Sequence, residues 1–268
     1  MELKKLKRYY LRLNPIKELQ TYHKKEIGLG VALVKFEEFQ HLFDFAQHSF
    51  TLGMKEDHHV YASDGKHDLA KKNYRFYYLR HAIQDYNACY DYLLQIVYFG
   101  GDFFSKITSE DDYAQELRKC KWSKQSIFRN KIDKIISEER NIPLTKFRDF
   151  YNGRDSDNNT KYPLAYWANQ LKHKGGFIVD ELDEHHIKIE IKNEKTGKMV
   201  FSSDYIQPIL TSFQDIERCL IYHQNRIIDN AEFLYKSLGL DDPKNLKKEF
   251  SANSQRIDTT DCTIQGKF

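Results

Sequence analysis

Asn169, Lys172 and His173 stand at i, i+3 and i+4 in the segment Ala168-Asn169-Gln170-Leu171-Lys172-His173. On a helix that spacing puts all three on one side, away from Trp167 and Leu171. An amide, an ammonium and an imidazole converging there could hold a phosphodiester. The imidazole would move protons near neutral pH, and the ammonium would offset charge on the phosphate. The same residues also have a plain structural reading. Cations near a helix C-terminus are favoured by the helix dipole, at about 0.3–1 kcal/mol each, and Asn169 could bond to a loop.

Other constellations are weaker. Arg218 and His223, with four residues between them, form a second candidate pair on the last long apolar-periodic segment. Arg75 and His81 have a similar spacing. Two such pairs are about what random placement of 12 Arg and 11 His gives. His58-His59, with Asp57, Asp64 and His67, could meet a metal in a polar loop, but adjacent His there read more simply as solvated. His185-His186 begins a strand, where alternation sends the two to opposite faces. Metal ligation is therefore not expected at either place. The basic start, Lys4, Lys5, Lys7, Arg8 and Arg12 interleaved with Tyr9 and Tyr10, could touch nucleic acid, although a solvated basic face is the simpler reading. No Gly-rich phosphate loop, nucleophile elbow or HExxH motif occurs, and no cofactor is implied.

The elements that must position these residues are mostly helical. The first 30 residues read as irregular, with Gly28 and Gly30 breaking the pattern. Val34, Phe36, Phe39, Phe43, Ala46 and Phe50 predict a helix over 34–52. A polar loop follows, with a turn at Ser63-Asp64-Gly65. Phe76, Leu79, Ile83, Tyr86, Tyr90, Leu93 and Val97 put one apolar stripe along a helix over 68–99, ended by Gly100-Gly101. Residues 110–140 predict one or two charged helices, and Pro143 opens a short one carrying Leu144, Phe147 and Phe150. After the polar loop 152–163, a helix over 161–174 has Leu164, Trp167, Ala168 and Leu171 inward. Ile187, Ile189 and Ile191 alternate with charged residues, which predicts a half-buried strand. With flanking strands at 177–179 and 199–201 it reads as a small antiparallel meander over 176–203. The last helix is expected over 205–238, with Ile209, Phe213, Ile216, Leu220, Ile227, Ala231, Leu234 and Leu238 on its apolar face.

Composition excludes several classes. The 268 residues include 18 Tyr and 18 Phe, too aromatic for a disordered chain, and only 12 Gly and 5 Pro, too few for a linker-dominated one. A mean hydropathy of −0.72 and the lack of a long apolar run argue against a membrane span. The start has no apolar run suited to a secretory signal, so a cytoplasmic setting is expected. The net charge of +3 gives no overall basic footprint for nucleic acid. Cys89, Cys120, Cys219 and Cys262 form no CxxC pair. Cys89 and Cys219 fall in apolar helical patterns and read as buried, reduced thiols.

A long antiparallel helix pair, an inserted segment and a polar-His motif just before a helix end together resemble the HEPN superfamily, and within it the Cthe-2314-like branch. The resemblance covers about residues 70–240. It implies a small helical bundle of the kind found in toxins, phage-defence nucleases and nucleotidyltransferase partners. Family ribonucleases carry Arg, usually a polar residue, then a few residues and His, and dimerise to pool two motifs. Here Asn169 matches the polar residue and His173 the His, while Ala168 stands where the Arg should be. Lys172 could replace the charge but lacks the bidentate fork of Arg.

These observations predict a mainly α chain. It is a HEPN-like antiparallel bundle with a β-meander insertion, a single domain over 1–250 and a loose tail over 251–268. The resemblance implies RNA or nucleotide as partner and a homodimer. If catalytic, the chain would cleave RNA without metal. The ribose 2′-hydroxyl would attack the adjacent phosphate, with His173 as acid and base and Lys172 and Asn169 stabilising the phosphorane. The alternative is a non-catalytic module that lost its Arg and kept the scaffold for a ligand or partner. Restoring Arg at position 168 should raise ribonuclease activity if the first reading holds.

Overall fold

Helix α1 spans Lys24–Gly53 and α2 spans His67–Gly100. The computed structural model describes residues 24–60, 65–120, 163–173, 176–182, 190–202 and 209–238. Along α1, Phe36, Phe39, Phe43, Ala46 and Phe50 recur every three or four residues, and all are buried. Leu79, Ile83, Tyr86, Tyr90, Leu93 and Val97 do the same on α2. Burying each large side chain in these stripes stabilises the pair by about 1.5–3 kcal/mol. The two helices run antiparallel. Gly28 lies against Phe99 at one end, and Gly53 lies against Leu79 at the other.

That contact explains a departure from expectation. α1 begins at Lys24, not at residue 34, and passes straight through Gly28 and Gly30. A Cβ on Gly28 would sit 2.4 Å from the Phe99 carbonyl oxygen and 2.7 Å from the Phe104 ring. Glycine there permits close approach of α1 to the end of α2 rather than breaking the helix.

Helix α3 spans Glu110–Lys119, α4 Leu164–His173 and α5 Phe213–Ser237. Ser109 caps α3 by accepting from the Asp112 amide, and Asp112 in turn accepts from the Thr108 amide and hydroxyl. Ser212 caps α5 by accepting from the Asp215 amide, while the Glu181 carboxylate accepts from the Phe213 amide at 3.1 Å. α5 lies along α2 in the same direction. Arg75 pairs with Glu217 near their starts, and Tyr86 and Tyr90 reach Gln224 and His223 further on. Phe36 meets Tyr235 at 5.3 Å, which closes a three-helix core of α1, α2 and α5.

The strands differ from the expected meander. β1 (Phe177–Val179) pairs in parallel with β4 (Ile209–Thr211), in register Phe177 to Ile209. β2 (Glu190–Lys192) and β3 (Met199–Ser202) form a separate antiparallel hairpin. Ile209 is therefore in a strand, and α5 begins at Phe213 rather than 205, because Thr211 ends the parallel pair and Ser212 supplies the cap. The expected half-buried strand is exposed along all of β2, with Ile191 facing solvent. Ile187, Ile189, the segments 121–162 and 239–268, and the basic start lie outside the described residues. The described residues are mainly helical with a small strand content, and no described helix is long and apolar enough to cross a membrane.

Candidate functional site

α4 is a ten-residue helix held by one side. Leu164, Trp167 and Ala168 are buried, and Leu171 is half-buried against the core. Trp167 meets Phe177 of β1 at 5.5 Å, and Phe177 meets Phe76 of α2 at 5.9 Å. This aromatic chain fixes α4 against the start of α2. Gln170 is buried and donates from Nε2 to the Tyr166 hydroxyl at 2.9 Å, one turn back.

Asn169, Lys172 and His173 occupy the opposite side and are all exposed. Their spacing brings them together as read from the sequence. Among the described residues none of the three has a hydrogen-bond or ion-pair partner, and Tyr166, 52% exposed, extends the same surface by a turn. The patch thus offers an aromatic ring, an amide, an ammonium and an imidazole to solvent. Ala168 is different. It is fully buried in the core. An Arg at this position would be directed inward, not alongside His173.

The second candidate pair is not brought together. Arg218 is exposed on α5 and lies 3.7 Å from Asp215. His223 is buried, with its Nδ1 2.8 Å from the Tyr90 hydroxyl. Five residues along a helix turn through about 500°, which leaves the two side chains on different sides. Arg75 and His81 are likewise separate. Arg75 pairs with Glu217, donates from Nε to the Gly53 carbonyl at 3.0 Å and covers the Phe213 ring at 4.6 Å. His81 is exposed on the other side of α2.

Two of the remaining candidates, in the loop before α2, are engaged elsewhere. His58 packs its ring on Tyr78, and Asp57 pairs with Lys71 at 2.8 Å. Among the described residues no three His, Cys, Asp or Glu are grouped to hold a metal ion. Asp64, His185, His186 and the basic cluster from Lys4 to Arg12 lie outside the described residues. Thiol chemistry is disfavoured too. Burial raises the Cys89 thiol, and burial with the Glu116 carboxylate pushes Cys120 up to about 12, so both are protonated at neutral pH.

Two features escaped the sequence reading. One is a set of polar ties inside the core. Tyr86 donates to Gln224 Oε1 at 2.5 Å, Tyr90 meets His223, and Tyr98 donates to Glu116 Oε2 at 2.6 Å. Nothing in the apolar periodicity marks these hydroxyls, because tyrosine counts as core by its ring. The other is an outward cluster on α2, comprising Tyr74, Tyr77, Tyr78 and His81 with His58 beside it. Its signal was present as a second stripe at i, i+3, i+4 and i+7, out of phase with the core stripe. No protein-family model, no curated protein and no solved structure matches the chain.

Proposed function

We propose that this chain is a HEPN-like protein that binds RNA or a nucleotide through the exposed side of α4. The observation that carries the reading is the joint exposure of Asn169, Lys172 and His173 on one side of a helix whose other side is anchored by Trp167 and Ala168. Lys172 supplies a point charge for a phosphate, His173 and Asn169 supply hydrogen bonds, and Tyr166 supplies a ring on which a base can stack. The patch lies at a helix C-terminus, so it offers carbonyls and not amide donors to an anion. Attraction for phosphate must therefore come from the side chains, which makes binding sensitive to salt and to Lys172.

Binding is preferred to cleavage because no guanidinium accompanies His173. Ala168 is inside the core, and Arg218 has no place in the patch. One experiment tests both readings. End-labelled RNA is incubated with wild type, Lys172→Ala and His173→Ala in EDTA, and both retention and cleavage are followed. Retention that falls at least severalfold in both variants is the expected outcome. Cleavage that vanishes in His173→Ala would replace the binding module with a metal-independent ribonuclease. Wild type that neither retains nor cleaves RNA or nucleotide would overturn the reading.

A further inference from the structure

The first half of α2 carries a second row of aromatic side chains that the core does not use. Tyr74 and Tyr77 are 48% and 55% exposed. Their rings lie 6.5 Å apart, and Tyr78 lies 5.4 Å from Tyr77. One turn on, the His81 ring meets Tyr77 at 4.4 Å. From the preceding loop, His58 stacks on Tyr78 at 5.8 Å with 25° between the rings. The His58 Nε2 atom is buried and has no hydrogen-bond partner among the described residues. The imidazole packs against the Tyr78 and Tyr74 rings. The result is a continuous surface of five rings, partly open to water.

The rim of this surface indicates what it fits. Arg80 follows Tyr77 at i+3, is exposed, and has no ion pair among the described residues. Lys71 is matched by Asp57. Asp85, four residues after His81, is half-buried, and burial raises its carboxyl while His81 opposes the shift. The outward positions from Asn73 to Gln84 hold Tyr, His, Arg, Asn and Gln but no Leu, Ile or Val. A protein partner's apolar face would find little aliphatic surface here. A stacked base finds ring faces, and its phosphate finds Arg80.

We propose that the Tyr74, Tyr77, Tyr78 and His81 face of α2, edged by Arg80, is a stacking site for unpaired bases of a single-stranded nucleic acid. It is independent of the α4 patch. Phe76, which turns toward Phe177 and α4, is two residues from both Tyr74 and Tyr78 and so points away from them. Recognition here is by ring faces, which every base has. The site therefore tolerates sequence and discriminates single strands from duplexes.

The test is a fluorescence-anisotropy titration of the full chain with a labelled oligouridylate about 10 nucleotides long. Wild type is compared with Tyr77→Ala, Tyr77→Phe, Tyr74→Ala/Tyr77→Ala, Arg80→Gln, and the α4 variant Lys172→Ala/His173→Ala. The tyrosines are half exposed, and circular dichroism checks that each variant folds. Tyr77→Ala should weaken binding about 5- to 150-fold and the double variant more, whereas Tyr77→Phe, which keeps the ring, should stay within about twofold. Arg80→Gln should reduce the salt slope by about one counterion. Binding that is absent in wild type, unchanged in the alanine variants, or lost equally in Tyr77→Phe overturns the stacking site. A stronger response to a neutral oligosaccharide than to the oligonucleotide does the same. Loss in the α4 variant alone would retain the α4 reading and sink this one, and loss in the tyrosine variants alone would do the reverse.

Discussion

The two sides of α2 use the same residue in opposite ways. On the inner side Tyr86, Tyr90 and Tyr98 are buried, and each hydroxyl meets a side chain of another helix: Gln224 and His223 of α5, and Glu116 of α3. On the outer side Tyr74 and Tyr77 are about half exposed, and they pack on each other and on the His81 ring. Inside, the ring supplies buried area and the hydroxyl selects a partner, so each tyrosine fixes the register of one helix on another. Outside, neither ring nor hydroxyl is committed to the fold. Tyrosine in a helical stripe is therefore evidence of packing only when its phase matches the core.

The largest effects should come from breaking the inner side. Tyr86→Ala should cost about 3–5 kcal/mol, because it empties a fully buried ring site and removes the hydroxyl that donates to Gln224 Oε1. Denaturant midpoints with an unchanged slope would check this, and a loss under 1 kcal/mol would remove Tyr86 from the core account. α4 repeats the contrast at adjacent positions. Ala168→Arg should cost about 3–5 kcal/mol through an unpaired buried charge, while Asn169→Arg should stay within about 0.5 kcal/mol of wild type. Equal stability of the two would show that position 168 is not sealed. The first substitution is thus expected to unfold the site and not to rescue activity, contrary to what the motif alone suggests.

A pH experiment sharpens the Tyr98 tie. Burial acts to raise the Glu116 carboxyl, but hydrogen bonds from Lys119 and Tyr98 outweigh it and hold the group below its ordinary 4.5. A carboxyl lowered in the folded state adds stability above its unfolded value and loses it as pH falls through the folded one. The melting-temperature advantage of wild type over Glu116→Gln should therefore be present at neutral pH and shrink below 4.5. Parallel curves across that range would dismiss the tie as an electrostatic contributor. Smaller still, Tyr90→Phe should cost about 0.5–1.5 kcal/mol by deleting one hydrogen bond to His223. Smallest of all, Tyr77→Ala should leave stability within about 0.5 kcal/mol of wild type, and a larger loss would mean the outer side is structural.

What the sequence discloses follows the same division. The phenylalanine stripe of α1 and the mixed stripe of α2 were legible because apolar period and burial coincide over many turns. The one-sidedness of Asn169, Lys172 and His173 was legible because i, i+3, i+4 is a local geometric fact. The first ten residues of α1 were hidden by Gly28, whose reason lies 71 positions away at Phe99. The β1 and β4 pairing was hidden because three-residue strands carry too little period to show a partner some 30 residues distant. Arg218 and His223 looked paired only while spacing stood in for direction. One turns out to solvent and the other into the core.

The ties between α2 and α5 also set an order of events during synthesis. Their members are separated by 142, 138 and 133 residues along the chain. At about 5–20 residues per second, α2 emerges roughly 7–28 s before its partner on α5 exists. Through that interval the α1–α2 hairpin can close its own local contacts, but the Arg75, Tyr86 and Tyr90 polar groups face water where α5 will later lie. The nascent hairpin thus carries a wet, tyrosine-studded groove that only the arrival of α5 dries.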